Sequence, residues 1–203
     1  MINVTDYIAC FPSFLLQDAD PTPWQIVKSI DFIIKRALQT LGDDYSIKND
    51  VAVHRSAKVE KTATIKGPAI IGANAYIGSH ALLRGGVYIG EKVTVGASCE
   101  IKTTILLAGS AVAHYNFIGD SLIGEGVNVE AGAISANHFN ERTDKNIFVL
   151  SEGKVIATGV QKFGALVGDG CRVGANAVLS PGTLLKPGTI VKRLELIEQL
   201  PSG

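Results

Sequence analysis

The sequence has no excess charge of either sign, no long apolar run and no cysteine pair with the spacing of metal ligands. Lysine plus arginine and aspartate plus glutamate both number 19. The zero net charge excludes the cationic surface that general binding to nucleic acid or to a membrane surface requires. No apolar stretch approaches the roughly 18 residues of a membrane span. Cys10, Cys99 and Cys171 form no C-x-x-C motif, so we expect free thiols in a reducing, cytoplasmic compartment.

Aromatic residues are also scarce, at 6% of the chain, whereas 22 residues are glycine. This composition favours tight turns and thin aliphatic layers over a large aromatic core. An aliphatic residue recurs at every sixth position from Val53 to Leu107, and the same register returns from Val167 to Val191. Neither a helix nor a single alternating strand has a period of six. The period predicts an all-β fold, a parallel β-helix whose coils stack about 4.8 Å apart.

The segments outside the repeat predict a helix and an arm. Residues 23–41 carry apolar side chains at helical spacing between Thr22, a suitable N-cap, and Gly42. Because an open end coil exposes unpaired backbone, we expect residues 1–52 to form an N-terminal helical cap on a β-helix domain of residues 53–203. Residues 136–166 interrupt the repeat, and NIFVL-SEGK-VIATG within them predicts a hairpin. This protruding arm is either a tolerated insertion or a wall of a functional site. Residues 192–203 are a weaker helix candidate.

Three cations occupy one position of the repeat, Lys66, Arg84 and Lys102, and three hexads separate each of them from the next. If one coil contains three hexads, these side chains stack along one edge. Two cations about 5 Å apart repel by roughly 3 kcal/mol at an effective dielectric constant near 20, and by less than about 1 kcal/mol in water. The row is either an exposed, solvated ladder or a site for an anion such as phosphate or pyrophosphate. Glu100 would offset part of its charge.

His114 stands where the repeat breaks. The repeat favours glycine or alanine there, and the aliphatic register ends at Leu107 and resumes, shifted, at Ile118. A single histidine is commonly a structural residue, but histidine is also the side chain best suited to proton transfer near neutral pH. The neighbouring cations leave both interpretations open.

The most specific motifs of the chain are H-Y-N-F-I-G-D-S-x-I-G at residues 114–124 and G-V-N-V-x-A-G-x-I-x-x-N at residues 126–137. They resemble the acetyltransferase domain of the bifunctional enzymes that make UDP-N-acetylglucosamine, and the similarity covers residues 53–191. The resemblance implies a left-handed β-helix, a homotrimer, acetyl-CoA as the acyl donor and an acceptor similar to glucosamine 1-phosphate.

The resemblance also implies roles for individual residues. Those expected at the reaction itself are His114 as general base, Glu100 beside the substrate amine, and Asn137 near the amine and the acyl donor. Those expected to bind the sugar phosphate are Arg84, Lys102, Phe117, Asn128 and the arm residue Lys145. Those expected beside acyl-CoA are Asn137, His138 and Ala175.

Two features depart from that family. Phe117 stands where the family has tyrosine, and His138 stands where some members have tyrosine. The hydroxyl missing at Phe117 leaves the exact acceptor open. The chain also has no glycine-rich nucleotidyltransferase motif, so a nucleotidyltransferase is expected as a separate partner.

We expect no metal site. The carbonic anhydrases among the hexapeptide proteins bind zinc with three histidines from adjacent coils, two of them five residues apart. Among His54, His80, His114 and His138, no pair has that short spacing, and no pair is separated by the three hexads of one coil.

The sequence therefore predicts an acyl-CoA-dependent N-acetyltransferase for an amino-sugar phosphate. His114 would take a proton from the sugar ammonium, and a backbone N–H would stabilise the oxyanion of the thioester. One alternative is a non-catalytic β-helix that binds or regulates a nucleotidyltransferase. Another is an acyltransferase with a different acceptor.

Overall fold

The computed structural model describes residues 2–16 and 21–200, and most of them form a parallel β-helix with three faces. Seven strands stack on the first face: β3 (Lys58–Val59), β6 (Tyr76–Ile77), β8 (Thr94–Val95), β10 (Ala111–Val112), β13 (Asn128–Val129), β18 (Arg172–Val173) and β21 (Ile190–Val191). The parallel β-helix that the six-residue period predicts is thereby confirmed.

The other two faces share two long strands that bend around the corner between them, β7 (Leu82–Ile89) and β9 (Glu100–Leu106). The second face adds β4 (Thr64–Ile65), β11 (Phe117–Gly119), β14 (Ile134–Ser135), β19 (Val178–Leu179) and β22 (Leu196–Ile197). The third face adds β2 (Val51–His54), β5 (Ala69–Ile71), β12 (Leu122–Ile123), β17 (Ala165–Val167) and β20 (Thr183–Leu185). We name the corner between the first and second faces the first corner, and that between the second and third faces the second corner.

The coils change length at the second corner. Ala69 pairs with Val87, which follows it by three full hexads, whereas Val87 pairs with Thr104, one residue short of that interval, because a bulge follows Arg84. The shift makes Leu106 the inward residue and turns Leu107 outward into a different apolar cluster. The expectation of an unbroken register through Leu107 is therefore wrong by one residue.

The helical segment lies on the side of the β-helix. It consists of α1 (Pro23–Lys28) and α2 (Ile30–Leu38), separated at Ser29, and Thr22 begins it with a capping box to Gln25. Its buried side chains pack on the outward residues of the third face, among them Ile70 and Ile105. The helical segment that we expected as a cap on the end coil thus packs on the side of the coils, where α2 contacts β5, β7 and β9. At the end itself, β1 (Tyr45–Lys48) pairs antiparallel with β2.

The arm forms the predicted hairpin from β15 (Phe148–Ser151) and β16 (Lys154–Ala157). Its base packs back on the third face, where Ile147, Val149 and Phe163 are buried in the same cluster as the helices. At the hairpin turn, Glu152 and Lys154 line a small pocket together with Asp6 and Lys186. The C-terminal helix candidate is wrong over the described residues, because the chain continues the coil as β22 up to Ile197. None of the helices in residues 2–16 and 21–200 has the length and apolarity to cross a membrane.

Candidate active site

The predicted row of cations exists on the outer surface of the second face. Arg84 and Lys102 are register partners in adjacent coils. Lys66 precedes Arg84 by one coil, since its N–H donates to the carbonyl of Leu83 at 2.8 Å. The three side chains therefore follow the second corner at intervals of one coil, as the three-hexad spacing predicts.

Two carboxylates accompany this row. Glu100 Oε1 accepts from Arg84 Nε at 2.7 Å and lies 2.6 Å from Arg84 Nη2. Asp120 Oδ2 accepts from Lys102 Nζ at 2.5 Å, and both of those side chains are largely buried, 7% and 16% exposed. Arg84 and Lys102 are thus paired, whereas Lys66 is exposed and forms no ion pair with any described residue.

Asp120 is a functional candidate that the sequence reasoning missed. Its signal was present, because Asp120 follows Lys102 by the same three hexads that separate the cations. Asp120 Oδ2 also accepts a hydrogen bond from Asn137 Nδ2, and Asn137 Oδ1 lies 3.1 Å from Nδ1 of His138. Lys102, Asp120, Asn137 and His138 are consequently connected side chain to side chain at the second corner.

His114 lies on the first corner, in a row of small residues. Backbone hydrogen bonds between successive coils define this row: the N–H of the residue that follows one member donates to the carbonyl of the member in the coil before. The members are Ser79, Ala97, His114, Ala131, Ala175 and Arg193. The His114 side chain is exposed, and its ring forms no hydrogen bond with any described residue. A Cβ added at Gly96 would lie 2.9 Å from His114 Nδ1, so the ring rests on that glycine. Neither ring nitrogen is engaged by a described residue, and Nδ1 is the one that faces Gly96.

Ala175 stands two coils beyond His114 in the same row, a separation of about 10 Å. Its N–H donates to Glu130 Oε2 at 2.9 Å, and Glu130 also holds the Arg193 guanidinium with two contacts of 2.8 Å. The hydrogen bonds from Arg193 and Ala175 lower the pKa of Glu130 below its usual value. The small side chains of Ala131 and Ala175 leave a shallow path along the corner from His114.

Phe117 lies beside Glu100 on the second face, where the two are register partners. Its ring covers Gly119, because a Cβ there would lie 2.7 Å from Phe117 Cζ. Asn128 is on a different face: it is exposed on the first face, in a groove of about 470 Å³ with Arg172 and Lys192.

Lys145 lies in the arm, and its Nζ donates to the carbonyls of Phe139 at 2.8 Å and Asn140 at 2.7 Å. The chain therefore brings together on the second face and its far corner six of the predicted residues, Arg84, Glu100, Lys102, Phe117, Asn137 and His138. It places the others elsewhere, with His114 and Ala175 on the first corner, Asn128 on the first face and Lys145 in the arm.

A second cavity, of about 550 Å³, lies between the arm and the last coils, and Phe139, Phe148 and Pro181 contribute to its wall. None of the predicted site residues lines it. Among residues 2–16 and 21–200, no group of three or more histidine, cysteine, aspartate or glutamate side chains is arranged to hold a metal ion.

Comparisons with known proteins show which families this chain resembles. The family model described as GMPPB C-terminal domain matches residues 65–160, and the one described as hexapeptide repeat of succinyl-transferase matches residues 155–185. A bifunctional sugar-1-phosphate nucleotidylyltransferase/acetyltransferase from Sulfurisphaera tokodaii is 37% identical over 166 residues, covering 79% of this chain and 41% of that protein. A bifunctional protein GlmU from Methanococcus vannielii is 34% identical over 164 residues, covering 79% of this chain and 39% of that protein.

Among solved structures, the acetyltransferase domain of PglB from Neisseria gonorrhoeae covers 86% of this chain and 71% of its own, with 19% identity and a TM-score of 0.45. The hexad register, the three-faced coil and the two family models agree on the class of protein that the chain resembles, the hexapeptide-repeat family with its parallel β-helix. Within it, the chain is similar to bifunctional nucleotidylyltransferase/acetyltransferases and spans about two fifths of their length. The resemblance predicted from the two sequence motifs is confirmed.

Proposed function

We propose that the chain is an acyl-CoA-dependent N-acetyltransferase that acts on an amino-sugar phosphate. The observation that carries the proposal is the exposed, unbonded imidazole of His114 in a row of small residues, in the same coil as Phe117 and one face away from the cations Arg84 and Lys102. An acyl transfer to a charged amino sugar requires such a base and such a phosphate site. The acetyltransferases among its relatives support the same reaction.

The reaction is a direct transfer. His114 takes a proton from the sugar ammonium, and the neutral amine attacks the thioester carbon. The carbon–sulfur bond breaks, an amide forms, and coenzyme A leaves as a thiolate that takes up a proton. Glu100 orients the amine from its place beside Arg84, while Arg84 and Lys102 bind the phosphate through charge-assisted hydrogen bonds.

The acyl donor fits the first corner. The alanines of the row that contains His114 present only small side chains between His114 and Ala175, and acetyl-CoA would lie along them between two copies of the chain. Asn137 and His138 of the second corner would then stand beside the acyl group. Phe117 presents an apolar ring to the acceptor where related proteins offer a hydroxyl. The substrate class is therefore an amino sugar carrying phosphate, with glucosamine 1-phosphate as the first compound to test.

The complete site lies between subunits of a homotrimer. In one subunit Asn128 lies on the first face, away from Arg84 at the second corner, and the Lys145 ammonium is occupied by the carbonyls of Phe139 and Asn140. A neighbouring copy would supply both residues to the substrate bound at Arg84. A nucleotidyltransferase partner remains part of the proposal, because the curated relatives carry that activity in a longer chain.

The test is release of thiol from acetyl-CoA in the presence of glucosamine 1-phosphate. Replacement His114→Ala should lower the rate about a hundredfold or more, within the usual contribution of a general base. His80→Ala is the matched control, since His80 is also exposed at the first corner, two coils earlier, and it should keep the wild-type rate. Absence of release from folded protein with several amino-sugar phosphates and acyl-CoAs would favour a non-catalytic binding subunit instead.

A further inference from the structure

We infer that Asp120 is a positioning residue of this site: it fixes the Lys102 ammonium and the Asn137 amide relative to each other without touching the substrate. The inference rests on the proposed function. It concerns a buried carboxylate for which neither the sequence motifs nor the reaction scheme above supplies a role.

The Asp120 carboxylate is held firmly in place. Its backbone N–H donates to the carbonyl of Lys102 at 2.8 Å, and its own carbonyl accepts from Gly164 N–H at 2.8 Å. The residue has a φ of +48°, a left-handed conformation that aspartate tolerates better than most residues. Backbone contacts on both sides therefore fix the direction of the side chain.

One oxygen of this carboxylate serves two donors. Asp120 Oδ2 accepts from Lys102 Nζ at 2.5 Å and also from Asn137 Nδ2. The three residues belong to three successive coils, so the shared oxygen joins side chains that the β-helix alone would only stack.

The shared oxygen also determines which way the Asn137 amide faces. An ionised carboxylate only accepts hydrogen bonds, so Asn137 must present Nδ2 to it. The amide oxygen then faces His138, whose Nδ1 is 3.1 Å away. One N–H of Asn137 and two of the Lys102 ammonium remain for other partners. Asp120 thereby makes both side chains donors of fixed direction.

A positioning role predicts a separation of kinetic effects. Removing the carboxylate leaves the row of cations more positive, so the phosphate of the acceptor should bind as well as before or more tightly. Loss of the fixed geometry should instead slow the transfer, because misplacement of a reacting group by about 1 Å can cost about a hundredfold in rate. A residue that only stabilises the fold would change neither constant of the folded enzyme.

The experiment compares Asp120→Ala, which removes the shared oxygen, with Asp120→Asn, which keeps an oxygen there without the charge. We expect Asp120→Ala to lower kcat by about tenfold to a hundredfold while the KM for glucosamine 1-phosphate is unchanged or lower. Asp120→Asn should recover much of the lost kcat. Unchanged kcat in both variants, equal losses in both, or a raised KM at constant kcat would each overturn the inference. If Asp120→Ala does not fold, Asp120→Gly, which suits the φ of +48° and also removes the shared oxygen, takes its place in the comparison.

Asp169→Asn is the matched control. The Asp169 carboxylate is also fixed by backbone, accepting from Glu125 N–H at 2.8 Å and Ala9 N–H at 2.9 Å, but on the opposite side of the coil. This variant should lose thermal stability and keep both kinetic constants.

A second readout does not depend on turnover. In protein labelled with ¹⁵N-asparagine, the side-chain amide of Asn137, assigned through its loss in Asn137→Ser, should exchange slowly in the wild type and rapidly in Asp120→Ala. Slow exchange that persists in Asp120→Ala would overturn the positioning role even if the enzyme proves inactive with every acceptor. An inactive wild type with the expected exchange pattern would reject the proposed function alone.

Discussion

At the scale of single residues, the corner rows show how the β-helix makes room for chemistry. Residues of one row share a backbone position, and on the first corner that position holds alanine in three coils. A large side chain inserted once in such a row has small neighbours above and below it. His114 is placed in this way, so its ring can remain exposed without crowding and without a competing hydrogen bond.

Glu130 gives a residue-scale prediction about pH. Its pKa is lower in the folded chain because of the hydrogen bonds from Arg193 and Ala175, so the unfolded chain binds more protons. The stabilisation is therefore fully present above the ordinary carboxyl pKa and is lost as the pH falls through the lowered value. We expect Glu130→Gln to lower the Tm slightly at pH 7, and the difference from wild type to vanish in acid.

Thermal unfolding between pH 7 and pH 3 measures this effect. Glu125→Gln is the control, since Glu125 is exposed at the other end of β13 and its carboxylate forms no ion pair with a described residue. A Tm difference for Glu130→Gln that persists unchanged at pH 3 would show that the ion pair with Arg193 is not its cause.

The residues that the sequence could supply were those with a regular spacing. Arg84 and Lys102 are neighbours because three hexads make one coil, and their spacing in the sequence is enough to predict this. Asp120 obeys the same spacing, but its connection to Asn137 crosses a coil that is one residue shorter. Which carboxylate pairs with which cation depends on side-chain directions at a corner, and no hexad pattern specifies those directions.

At the scale of elements, the register was predictable up to the second corner of the third coil. Gly85 and Gly86 add one residue there, both with positive φ, and the coils that follow omit it. The hexad rule does not reveal the omission because Leu106 and Leu107 are both leucine, and either could face inward. The sequence did not indicate where the helices pack either. The outward apolar residues of the third face alternate with the inward residues of the repeat, so nothing in the pattern marks the outward ones as a surface that helices cover.

Gly86 supports an element-scale prediction. Its φ is +85°, and a Cβ there would lie 2.8 Å from Ile30 Cγ2 and 3.2 Å from Asp31 N, at the start of α2. Gly86→Ala should therefore combine the cost of a left-handed alanine, roughly 1–2 kcal/mol, with a displaced helix, roughly 1–3 kcal/mol more. Denaturant unfolding should show the sum as a lower free energy of unfolding.

Gly153 separates the two contributions. It has a φ of +74° in the arm hairpin, and nothing lies within 4 Å of its added Cβ. Gly153→Ala should show the backbone cost alone. Equal losses of unfolding free energy in the two variants would mean that α2 can shift to accommodate the added Cβ at no energetic cost. The close contact between α2 and the bulge would then not hold the helices against the third face.

At the scale of the whole molecule, five of the ten exposed large hydrophobic side chains among the described residues lie together beside the site. Large hydrophobic residues lie exposed on or next to the first corner of the late coils: Tyr115, Ile134, Ile190, Leu194 and Leu196. The cluster continues along the same side of the β-helix as His114. Aliphatic surface concentrated in this way marks an interaction site more often than a solvated face. This side is therefore the surface on which we place the homotrimer contact.

Leu194 is the sharpest probe of that assembly. It is 79% exposed and has a φ of +61°, a conformation that costs a leucine roughly 1–2 kcal/mol. Asparagine adopts this backbone more readily, so Leu194→Asn should relieve the strain within one chain. It should also remove roughly 1.5–3 kcal/mol of apolar burial per copy from an interface. We expect sedimentation analysis to give the wild type a mass three times the 21.4 kDa of one chain. Leu194→Asn should dissociate on dilution.

His80→Asn is the control for this change, because His80 has the same φ of +61° in the same corner row but lies in an early coil, away from the exposed apolar residues. It should leave the sedimentation of the wild type unaltered. A trimer that survives dilution equally well with Leu194→Asn would place the contact on another surface. In the proposed trimer a neighbouring copy supplies Asn128 and Lys145, so dissociation by Leu194→Asn should also abolish acetyl transfer while His114 and Asp120 remain intact. One variant then tests whether assembly and catalysis are linked.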